Sequence, residues 1–65
     1  MCILTVRIVK DGKEEIIKDI IMIEYRDGKL ILKDTSLREA AVLNCNSIKS
    51  FRLNTLDAYA LLEIQ

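Results

Sequence analysis

The chain has 65 residues, ten basic and ten acidic, and a formal net charge of zero. That length holds one small domain, and its 51% hydrophobic content excludes a disordered chain. It has no histidine, which removes histidine-based triads and histidine zinc sites, and no net positive charge to drive non-specific binding of nucleic acid.

The first segment, Ile3 to Val9, alternates. Leu4, Val6 and Ile8 fall on one side of a strand, with Thr5, Arg7 and Val9 on the other. Asp11-Gly12 follows, and Asp27-Gly28 comes sixteen residues later. Each pair sits between β-prone runs and predicts a hairpin, because the tight turn needs positive φ at both positions. The flanks are Cys2 to Lys10 with Lys13 to Asp19, and Ile20 to Arg26 with Lys29 to Asp34. In the run from Lys29, Leu30 and Leu32 are expected inside and Ile31 outside. In the run from Ile20, both faces are largely apolar.

Ser36-Leu37-Arg38-Glu39 has the form of a capping box, so residues 38–43 suit a helix, although they also alternate. Asn44-Cys45-Asn46-Ser47 is turn chemistry. Ile48 to Leu53 reads as a strand, and Ala58 to Ile64 suits a strand or a short helix. The expected fold is all-β: a small antiparallel barrel or sandwich of six to seven short strands over residues 1–65, with room for one helical turn.

Apolar residues are in surplus on the nominal outer face, at Ile3, Val9, Met22 and Ile31. A domain this small gains from burying them against a second copy, so a homodimer is expected. There is no basic segment leading into an apolar one at the start, and the longest apolar run, Ala58 to Leu62, is far short of a membrane span. The expected location is the cytoplasm, where Cys2 and Cys45 remain thiols.

Few residues offer chemistry. Two isolated glycines cannot cradle a phosphate, and the carboxylates are spread out. No catalytic residue is assigned, and the chain is not expected to be an enzyme. Cys2 stands out because it follows Met1. If Met1 carries the free amine, then that amine, the Cys2 amide nitrogen and the Cys2 thiolate close two fused five-membered chelate rings in one plane. Planar nitrogen and sulfur donors suit Ni(II) or Cu(II). The plain alternative is that Cys2 is a small apolar residue at a strand start. Cys45 is a turn residue or an additional thiolate for the same site.

The Met1-Cys2 start, the alternating strand to Val9, the Asp11-Gly12-Lys13-Glu14-Glu15 turn and the Asp27-Gly28 hairpin with Lys29-Leu30 together resemble the CooT family of small nickel-binding proteins. The resemblance implies a compact, mostly antiparallel β domain and a homodimer. It also implies Ni(II) bound through Cys2, with Met1 beside it, in service of carbon monoxide dehydrogenase or its maturation proteins. This chain has Thr35-Ser36-Leu37 where the family usually has a glycine after the fourth strand. The competing expectation is a β-barrel module that binds RNA or a protein edge strand, with the neutral charge against RNA.

Overall fold

The computed structural model describes residues 3–65. Six strands run in chain order: β1 (Leu4–Lys10), β2 (Lys13–Arg26), β3 (Lys29–Asp34), β4 (Glu39–Asn44), β5 (Ile48–Asn54) and β6 (Tyr59–Ile64). They form one sheet in the order β4-β3-β2-β1-β6-β5. The all-β expectation holds, and the helical turn is a single 3-10 turn, Cys45–Ser47, between β4 and β5. Four of the strand pairs are antiparallel, whereas β1 and β6 run parallel.

Both Asp-Gly pairs form the expected hairpins. φ is 50° and 77° at Asp11 and Gly12, and 53° and 76° at Asp27 and Gly28. The runs Lys13 to Asp19 and Ile20 to Arg26 are one strand and not two. Lys13 to Ile20 pairs with β1, and Ile20 to Arg26 pairs with β3. The change of partner happens at two bulges. Lys18 and Asp19 both lie opposite Thr5, and Ile21 is an extra residue between two pairs with β3. Asp19 has φ 62°, a conformation aspartate tolerates better than most residues. Bulges bend a strand and let it pass from one layer to another.

The sheet is strongly curved. A flat six-stranded sheet would hold β4 and β5 about 24 Å apart, at five strand spacings. The link from Asn44 to Ile48 spans at most about 14 Å when fully extended. The strands therefore curl around a core of Val6, Ile8, Ile20, Leu32, Ala60 and Leu62. Leu4, Ile17, Ile23, Leu30, Ala41, Leu43, Ile48 and Ile64 pack against it. No ladder joins β4 to β5 among the described residues, so the barrel has an open seam there.

Residues 38–43 form no helix. The Asp34 carboxylate accepts the Ser36 and Arg38 amides at 2.9 and 3.1 Å, which turns the chain back so that Glu39–Asn44 pairs with β3. Leu37 takes φ 62° in this turn, at the place where a glycine would fit without strain. Tyr59–Ile64 is a strand, preceded by a turn in which Asn54 Oδ1 accepts the Leu56 and Asp57 amides.

Ile31 departs from expectation. The register puts it on the outer face beside Glu24 and Val42, yet it is only 5% exposed. The Glu24–Lys33 ion pair lies over the same face, and the stem of a long charged side chain covers apolar surface well. Val9 is half-buried, between Glu14 and Glu63 in register. Of the four expected outer apolar residues, Ile3 and Met22 stay exposed, and Ile16, Leu37 and Val42 are exposed as well.

Replacing Leu32, fully buried, with alanine should cost about 2–5 kcal/mol in chemical denaturation. Leu56→Ala, at the most exposed apolar residue, should stay within about 0.5 kcal/mol. Similar losses for the two would contradict this placement of the core.

Candidate metal centre

Met1 and Cys2, the expected ligands, lie outside the described residues. The structure does describe what surrounds the start of β1. Leu4 pairs with Ile20 and Ile20 pairs with Asp34, so the Asp34 turn lies at the same end of the barrel. On the other side, the Thr5 amide donates to the Ala58 carbonyl at 3.1 Å, which ties β1 to the turn before β6. The chain therefore enters the sheet at its centre, between two turns organised by Asp34 and Asn54. Neither residue was singled out in the sequence. The available signal was an Asp or Asn followed by small hydroxyl residues, Asp34-Thr35-Ser36 and Asn54-Thr55.

Four exposed apolar residues belong to this end: Ile3 at 44%, Met22 at 42%, Leu37 at 58% and, in the Asn54 turn, Leu56 at 91% exposure. Ile3 precedes Leu4 directly, Met22 pairs with Lys33, and the Leu37 amide donates to the Asp34 carbonyl at 2.9 Å.

Cys45 sits elsewhere. Its amide donates to the Gly28 carbonyl at 2.9 Å, which places it at the Lys29 end of β3, while the start of β1 adjoins the Asp34 end. The six residues of β3 run about 17 Å between those ends. Cys45 is half-buried in the 3-10 turn and is a turn residue, as one of its two readings had it.

Among the described residues no three of Cys, Asp and Glu converge as a metal-binding group. Five charged side chains, Arg7, Glu14, Glu24, Arg26 and Lys33, are instead engaged with each other. Arg7 pairs with Glu14, and its pKa is held up by Tyr59 first and then by Glu14. This pair is solvent-exposed and adds little to stability. Glu24 Oε1 lies 3.1 Å from Lys33 Nζ and 3.8 Å from Arg26. Lys33 is the main reason that the Glu24 carboxyl lies below the usual carboxylate range; desolvation opposes it, and Arg26 adds a lesser lowering.

No family model, no curated protein and no solved structure matches the chain. No helix among the described residues is long and apolar enough to cross a membrane.

The depressed carboxyl gives a signed pH dependence. Glu24 contributes stability while it is ionised above its unfolded pKa, and this is lost as pH falls through the lower folded value. The denaturation midpoint of Glu24→Gln should fall less than that of the parent between neutral pH and about pH 3. An equal fall in both would show that the ion pair is not formed in solution.

Proposed function

We propose that this chain is a nickel-binding accessory protein that holds Ni(II) at its amino-terminal residues and passes it to, or stores it for, a nickel enzyme. The observation that carries this reading is the donor set at Met1-Cys2, a thiolate and an amide nitrogen, joined by an amine if Met1 carries it free, in the two residues before Ile3 and the inner strand β1. The donor chemistry fits a planar divalent ion of the nickel type. The described part of the chain offers no competing cluster.

The chain's own residues have distinct roles in this reading. The Cys2 amide must lose its proton for its nitrogen to bind, so uptake is favoured by rising pH and releases protons. β1 is hydrogen-bonded on both sides, which gives the ligand residues a fixed point of attachment. Ile3, Met22 and Leu37 offer apolar surface beside that point, and a second copy covering it would bring two Cys2 thiolates to one axis. The proposed protein is thus a cytoplasmic homodimer without a catalytic step. The resemblance to the CooT family supports carbon monoxide dehydrogenase, or its maturation proteins, as the client.

Calorimetric titration of Ni(II) into the protein and into Cys2→Ser tests the reading. The parent should bind with a charge-transfer band in the near ultraviolet, and Cys2→Ser should lose both heat and band. Cys45→Ser should bind as the parent does, because β3 separates Cys45 from the start of β1. Equal heats for the parent and Cys2→Ser would remove the proposal.

A further inference from the structure

The seam between β4 and β5 leaves the edge of β5 in an unusual state. Phe51 and Leu53 lie opposite Leu62 and Ala60, so they are on the core face of the sheet. Their two partners are fully buried, yet Phe51 is 45% and Leu53 49% exposed. Core-face side chains are left that open when the next strand is missing. The outward backbone groups of β5 have no ladder partner among the described residues. On its other face β5 presents Ser50, Arg52 and Asn54.

β5 has charged residues of one sign only, Lys49 and Arg52. Among the described residues neither forms an ion pair. The nearest acid in register, Glu63, accepts the Ser50 hydroxyl at 2.7 Å. Beside Arg52, an open cavity of about 540 Å³ runs over Tyr59 and Leu61 to Leu56, and no acid lines it.

We propose that β5 is an acceptor edge for an extended segment of a partner protein that alternates apolar and acidic side chains. The alternation follows from strand geometry. An added strand continues both faces of the sheet, so one row of its side chains falls beside Phe51 and Leu53 and the other beside Arg52. Its backbone satisfies the free edge, and its side chains set the specificity. The free backbone edge favours a peptide over RNA, which could use the two cations and stack on Phe51 but would leave the edge amides and carbonyls unpaired. This inference does not depend on nickel.

The probe is a synthetic peptide as long as β5 that alternates glutamate and valine between glycine-serine ends, with a control carrying lysine for glutamate. Amide exchange is followed by NMR on the full chain. The acidic peptide should slow exchange along Ile48–Asn54, and the lysine peptide should not. Arg52→Glu, an exposed position, should weaken the acidic peptide by about tenfold, with the sheet retained by circular dichroism. The proposal is overturned if both peptides bind alike or if protection falls on another strand. It is also overturned if a single-stranded RNA binds β5 and displaces the peptide, or if β5 is already protected without peptide in a self-associated species.

Discussion

Three residues, Cys45 to Ser47, join strands that stand at opposite edges of the same sheet. This short link is the constraint that shapes the molecule. It forbids a flat sheet and forces the six strands to curl around Val6, Ile20, Leu32 and Leu62. β2 supplies the bend, with its two bulges and the left-handed Asp19. The same link does not close the barrel, because β4 and β5 meet near the 3-10 turn and form no ladder. The open edge of β5 and its half-exposed Phe51 and Leu53 follow from that geometry.

The strand order also decides what surrounds the start of β1. β1 is an inner strand, held by β2 on one side and β6 on the other. Its start is flanked by turns built on Asp34 and Asn54. A ligand set carried on the two residues before Ile3 would therefore be attached to a well-supported part of the sheet. Cys45 is tied instead to Gly28, at the far end of β3.

The hairpins were legible in the sequence because Asp-Gly states its own backbone requirement, and Leu4, Val6 and Ile8 alternated cleanly. β2 was not legible as one strand. Its inward residues Ile17, Ile20 and Ile23 recur every three positions, because each bulge adds a residue that no period-two reading expects. Ile31 was read as exposed because parity gives the face of a side chain and not what covers it. The parallel pairing of β1 with β6 has no local signature, since the connection between them is the rest of the barrel. Of the site, the sequence carried the chemistry of Met1-Cys2, but not the two turns beside the start of β1 or the free edge of β5. Those depend on contacts between residues distant in the chain.

The account of function rests on sulfur and nitrogen donors from the first two residues. X-ray absorption at the nickel edge of the Ni(II)-loaded protein tests that most directly. A planar site with both sulfur and nitrogen neighbours is the predicted spectrum. A six-coordinate site with oxygen and nitrogen neighbours and no sulfur would contradict it.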